Sequence, residues 1–304
     1  MLPTINQTLR EAAKRLTRLL KNSDQAWLET ELLYSHVLKN LRIDLITHGD
    51  RSPSSHQQKK FENLIRRRLH HEPLAYLMGS QMFCGREFLV DHRVLIPRPE
   101  TELLIQRAIP LLAKETSVVS SVETRLGEVV VWDVGTGSGA VAITIKKERP
   151  DVTVIASDID ERALTLAKKN ARRLKAKDIK FIHADLLDKK IEDVLSSKHF
   201  LVIANLPYLP LSDKKKLAPD VVRFEPTQAL FTKEDGLYLI HRLLHQLSDF
   251  ITHNSLRITH YIFLIEFDPP QASRLMLLAK IYFPQASITI HKDLCGRNRF
   301  LEIS

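Results

Sequence analysis

From residue 128 to its C-terminus the chain alternates short, wholly apolar runs with amphipathic ones, and no other feature restricts its fold as much. EVVVWDV, VTVIASD, IKFIHAD, FLVIAN and THYIFLIEF read as strands, with AVAITIKKE, ERALTLAKKNARRL and GLYLIHRLLHQLSDF as helices among them. Strands without a polar face are buried on both sides, as in a parallel sheet covered by its own helical crossovers. SITIHKD and RFLEIS close the chain, joined only by DLCGRN. So short a link cannot carry a parallel crossover, so at least one of these two strands is antiparallel. The expectation is an α/β fold: a mostly parallel seven-stranded sheet with an antiparallel strand near the C-terminus.

The first part of the chain has a different period. Helical spacing links Ala12, Ala13, Leu16, Leu19 and Leu20, then Leu28, Leu32, Leu33 and Val37, then Phe61, Leu64, Ile65 and Leu69. This predicts a small helical domain over 1–78. QMFCGREFLVDHRVLI, around Gly85, reads as a β-hairpin within a linker over 79–97. PRPETELLIQRAIPLLA then opens the α/β domain of 98–304 as a helix.

At 304 residues and 44% hydrophobic, the chain can fill such cores. Its net charge of +9 suits a polyanionic partner such as RNA, or simple solubility. Arg66-Arg67-Arg68 reads as the solvated end of a helix. The two cysteines, Cys84 and Cys295, lack CxxC spacing and fit a reducing compartment. No HExxH motif is present and no metal is expected. No apolar run is long enough to span a membrane, and the first residues lack a signal-peptide core. A cytoplasmic monomer is expected.

Three of the nine glycines stand in VWDVGTGSGAV, between a strand and a helix, at Gly135, Gly137 and Gly139. Glycines there permit a tight turn and let a ligand approach backbone N–H groups. The pattern is D-x-G-x-G-x-G, starting at Asp133 and filled by Thr136 and Ser138, not the GxGxxG of dinucleotide sites. Asp158 ends the next strand, where an acid can accept both ribose hydroxyls. Asp160 suits a helix N-cap. Asp185 ends the third strand, where an adenine amino group could be bound. Glycine loop, ribose acid and adenine acid on successive strands resemble an S-adenosylmethionine-dependent methyltransferase of the Rossmann-like class, with NAD the lesser reading.

The fourth strand ends in Asn205-Leu206-Pro207-Tyr208, beside the expected methyl donor, because ligands of open α/β sheets sit outside the carboxyl ends of strands. NLPY resembles the [ND]-P-P-[YF] motif of methyltransferases that modify planar nitrogens. Asn205 Oδ1 and the Leu206 carbonyl can accept both N–H bonds of an amide or amine, Pro207 can aim that carbonyl, and Tyr208 can stack on the flat group.

Taken together these segments resemble the peptide chain release factor glutamine methyltransferases (the HemK/PrmC family) over nearly the whole chain. EPLAYLMGSQMFCGREFLVDHRVLIPRPETELL, VWDVGTGSGAVAI, ASDID, ANLPY, FEPTQALFTKEDGL and KDLCGRNRFLEI occur in the family's order. The resemblance implies methylation at N5 of the glutamine in a release factor's GGQ tripeptide, with the helical domain recognising the factor. It implies cofactor contacts from Asp133, Gly135–Gly139, Asp158, Asp185, Leu186 and Asn205, and an amide held by Asn205 to Tyr208. Leu206 departs from the family's proline, Thr232-Lys233 from a glycine, and Glu266-Phe267-Asp268 from EIG. The rival readings are an N6-adenine methyltransferase acting on RNA or DNA, which the positive charge favours, and a non-catalytic cofactor-binding module. Glu100 and Thr101 could touch substrate or simply cap a helix, and Glu225 resembles a family position whose role could be purely structural.

Overall fold

A computed structural model describes residues 3–120, 129–187, 199–253, 258 and 260–304. Glu128 and Thr259, at the starts of two expected strands, lie outside these. The chain forms two compact units, one of residues 1–80 with 217–224 and one of 81–216 with 225–304.

The first unit holds α1 (Ile5–Leu20), α2 (Ser23–Leu38), α3 (Arg42–Thr47), α4 (Ser55–Leu69) and α5 (Leu74–Met78). Thr4 with Gln7, and Ser54 with Gln57, form capping boxes that start α1 and α4. Leu9, Leu16, Leu33, Tyr34, Phe61 and Ile65 make its core, with Tyr34 edge-on to Phe61 at 4.5 Å between centroids. Two expectations fail here for one reason. Leu28 is 40% exposed, and the buried face of α2 instead carries Ala26, Glu29, Thr30, Leu33 and Tyr34. Arg68 is buried, its Nε 2.6 Å from Glu29 Oε2, so this arginine run is not simply a wet helix end. Burial of a charge is tolerable only with its partner, and the pair lets α2 turn a glutamate inward.

The second unit begins with β1 (Ser80–Phe83) and β2 (Arg86–Leu89), a two-stranded sheet. Cys84 and Gly85 between them have φ of 46° and 70°, the two positive values of a tight hairpin turn. Next come α6 (Pro99–Ser120), β3 (Val129–Val134), α7 (Ala140–Glu148), β4 (Thr153–Asp158), α8 (Glu161–Arg173), β5 (Ile179–His183), β6 (His199–Ala204) and β7 (Leu209–Pro210). After α9 (Pro219–Phe224), which belongs to the first unit, follow α10 (Thr227–Leu230), β8 (Phe231–Thr232), α11 (Tyr238–His253), β9 (His260–Glu266), α12 (Ala272–Tyr282), β10 (Ile288–Lys292) and β11 (Asn298–Ile303).

The main sheet has seven strands in the order β10-β11-β9-β6-β3-β4-β5. Among the described residues, β11 alone runs against the direction of the other six strands. Alternate residues of β3 serve opposite faces, as strand geometry requires. Val130, Trp132 and Val134 join Ile240, Leu243 and Leu244 of α11 and Leu275 of α12. Val129 and Val131 join Leu104 and Ala108 of α6 and Ile143 of α7. The Trp132 indole donates to Ser157 Oγ at 2.9 Å, which satisfies its one polar atom inside the core. Among the described residues no helix is long and apolar enough to cross a membrane.

Candidate active site

Parallel register brings the site together. Val134 pairs with Ser157 and with Ala204, and Ala204 pairs with Ile265. The next residues, Gly135, Asp158, Asn205 and Glu266, therefore leave four adjacent strands at one level. The strand order reverses between β3 and β6, where a crevice opens in such sheets. A cleft of about 540 Å³ lies there, lined by the glycine loop, Asp158, Asp185, Leu186 and Asn205 to Pro207, and by His92 to Leu95, Pro97 and Arg98 ahead of α6.

The glycines divide their work. Gly135 and Gly137 line the cleft. A Cβ on Gly135 would lie 3.0 Å from Leu206 Cδ2, and the Gly137 N–H donates to Asp158 Oδ2 at 2.8 Å. Gly139 starts α7 with φ of 81°; its Cβ would meet Ile143 Cδ1 at 2.9 Å and Ala167 Cβ at 3.1 Å. That glycine serves helix packing. Asp133 is buried and accepts from Thr136 Oγ1 (2.6 Å) and from the Ala142 N–H (3.0 Å). Burial outweighs both bonds and pushes its carboxyl up to about 7. Asp133 thus braces the loop, and it also lines the cleft.

Asp158 accepts from Gly137 and Asp160 through different oxygens. Each oxygen keeps a further acceptor site. Burial raises its pKa. Asp160 caps α8, as its position suggested. Asp185 is held by Arg242 at 2.9 and 3.3 Å, so a base bound there shares the acid with a guanidinium.

At the end of β6, Leu206 is buried against Gly135. Tyr208 is not among the described residues lining the cleft. Its ring packs against the core, and its hydroxyl donates to Glu266 Oε1 at 3.1 Å. Burial and the neighbouring Glu266 charge raise the pKa of that phenol. Gln271 Nε2 donates to the Tyr208 carbonyl at 2.7 Å and to the Asp235 carbonyl at 2.9 Å. Asn205 Nδ2 donates to Thr101 Oγ1 at 2.9 Å, and Thr101 donates to Glu266 Oε2 at 2.8 Å. Glu266 is 1% exposed, and burial pushes its pKa up to about 7 against those donors and Arg299. The sequence left Thr101 open between a substrate contact and a helix cap, and gave Glu266 no role. Their signal was weak: a threonine in a first helical turn, and an acid at a strand end level with the others.

Glu225, also unassigned, has a position now. Its carboxylate accepts from the Ile96 N–H at 3.1 Å and pairs with Arg98. It clasps the segment ahead of α6 that walls the cleft.

Residues 7–79 match the PrmC N-terminal domain, and residues 127–259 match a methyltransferase domain. A release factor glutamine methyltransferase of Bacillus anthracis is 32% identical over 96% of this chain and 97% of its own. One from Neisseria gonorrhoeae is 34% identical over 90% of this chain and 91% of its own. This chain belongs to the release factor glutamine methyltransferase family. It is an S-adenosylmethionine-dependent methyltransferase. The same fold recurs in the hMettl16 catalytic domain solved in complex with MAT2A 3′UTR hairpin 1, at a TM-score of 0.53 and 15% identity, covering 81% of this chain and 91% of that one. The cleft suits the cofactor of the family: an open glycine surface at Gly137, a carboxylate with spare acceptor sites at Asp158, and apolar walls from Leu186 and Leu206.

Proposed function

We propose that this enzyme methylates N5 of the glutamine in the GGQ tripeptide of a peptide chain release factor, acting as a cytoplasmic monomer. The observation that carries the reading is the Asn205-Leu206-Pro207 turn, level with the glycine loop and lining the same cleft. An amide nitrogen is a poor nucleophile because its lone pair is delocalised. Asn205 Oδ1 and the Leu206 carbonyl accept its two N–H bonds and return electron density to nitrogen. Pro207 fixes the direction of that carbonyl, so the acceptors are in place before reaction. Gly135–Ser138, Asp158 and Asp185 would hold S-adenosylmethionine, which would supply the electrophilic methyl group and leave as S-adenosylhomocysteine. The methylated amide then loses its extra proton to water. Glu266 is not the base for that proton, because it is buried and is not among the described residues lining the cleft.

Methyl-labelled cofactor incubated with release factor and with RNA tests the reading. Label is expected in the factor and absent when its GGQ glutamine is replaced; label entering RNA instead supports the adenine reading. Asn205→Ala is expected to lower kcat by about 10²–10³, the cost of losing one oriented polar partner, with S-adenosylhomocysteine binding retained. Sedimentation velocity checks the monomer.

A further inference from the structure

Asn205 is useful to an amide substrate only in one of its two orientations, and the residues behind it choose that orientation. The Thr101 hydroxyl has a single proton. Glu266 Oε2, 2.8 Å away and buried, takes it. The lone pairs left on Thr101 Oγ1 need a donor, which fixes the Asn205 group at 2.9 Å as the NH₂ branch. Assignment of an amide's oxygen and nitrogen rests on such networks. Oδ1 is then the branch left for a ligand, and it makes no hydrogen bond among the described residues.

We propose that Thr101 and Glu266 are positioning residues that hold Asn205 with its acceptor toward the substrate, and so make the site select a carboxamide over a carboxylate. This rests on the function proposed above. If the network ran the other way, Glu266 would donate to Thr101 and Thr101 to Asn205 Oδ1. The NH₂ branch would then meet the substrate, opposing an amide N–H and attracting a carboxylate. The direction therefore depends on Glu266 being ionised. Facing that carboxylate are Glu100 and Thr101 from α6, Tyr208 after β6, and Arg299 from β11, itself 3.2 Å from Asp293. Arg299 and the two hydroxyls favour the charged form; burial and Glu100 oppose it, and the balance lies at about 7.

The test compares binding of two release factors, one with the GGQ glutamine and one with glutamate in its place, by calorimetry in the presence of S-adenosylhomocysteine. Wild type is expected to prefer glutamine. In Thr101→Val the preference should shrink by about 10- to 100-fold, the range of one charge-sensitive hydrogen bond, and kcat should fall while S-adenosylhomocysteine affinity holds. Thr101→Ser should restore most of the preference. Glu266→Gln, which keeps the volume, should remove an acid limb of the kcat–pH profile that wild type shows as pH drops below about 7. Undiminished discrimination in Thr101→Val, or an acid limb persisting in Glu266→Gln, overturns the relay alone. A wild type that does not distinguish the two factors overturns the relay together with the reading of the site.

Discussion

Gly236 stands at φ of 87°, and a Cβ built on it lies 1.9 Å from the Tyr208 carbonyl oxygen and 2.3 Å from Gln271 Nε2. Gly236→Ala should therefore strike the catalytic turn from outside the cleft. Left-handed backbone costs an alanine about 1–2 kcal/mol. About 1.5 Å must then open before ordinary contact distances return. The obstacle is backbone, and the same carbonyl is tied to Gln271 at 2.7 Å, so retreat also costs that bond, about 1 kcal/mol. These two terms make a loss of about 2–3 kcal/mol, with kcat down roughly 100-fold because a 1 Å displacement near reacting groups has that effect. Gly85→Ala is the control: its φ is 70°, and nothing lies within 4 Å of its added Cβ. It should show the backbone term alone. Urea unfolding in a Trp27→Phe background, where fluorescence reports buried Trp132, measures stability, and methyl transfer to release factor measures kcat. Equal stability losses in the two variants, with kcat unchanged in Gly236→Ala, would refute the reasoning.

Leu206→Pro restores the residue common in the family and keeps the carbonyl, so methyl transfer should survive, with about 1–2 kcal/mol lost because the smaller ring leaves space against Gly135; a dead but folded enzyme shows that the turn differs. Arg68→Met should cost about 3–5 kcal/mol by leaving Glu29 buried and alone, and Glu29→Leu in the same chain should recover most of it, read from the Trp27 unfolding transition. Stability should also depend on pH. Glu266 and Asp133 both titrate near 7 in the folded chain because of burial, above their unfolded values, so native protein holds these protons more tightly. The stability they add is full below about pH 4 and is lost as pH climbs to about 7; urea midpoints measured from pH 5 to 8 should fall, and less steeply in Glu266→Gln.

The sheet and the row of site residues were legible because they depend on local patterns: apolar strands, a glycine loop, acids at strand ends. What stayed hidden depends on long-range partners. Leu28 fits a helical stripe, yet the distant Arg68 lets Glu29 take its place inside. His241 and His245 stand one helical turn apart. In the fold both rings lie against Tyr282, with His241 Nε2 2.8 Å from its hydroxyl. Tyr208 reads as a stacking residue from its motif, whereas its hydroxyl is drawn toward Glu266, 58 positions later. Thr101 stayed open between a substrate contact and a helix cap because nothing in its neighbourhood reveals that Asn205 will arrive 104 positions on.

The two-residue parallel ladder of β7 and β8 pairs Leu209 with Phe231 and Pro210 with Thr232. It acts as a neck, closing the excursion between them just after the catalytic turn. Whatever happens to the chain from Leu211 to Phe224 is spliced out of the mechanics of Asn205 to Tyr208. Doubling the length of such a closed loop costs only about 0.6 kcal/mol. Insertions and exchanges in that stretch can accumulate without moving the Asn205–Tyr208 turn.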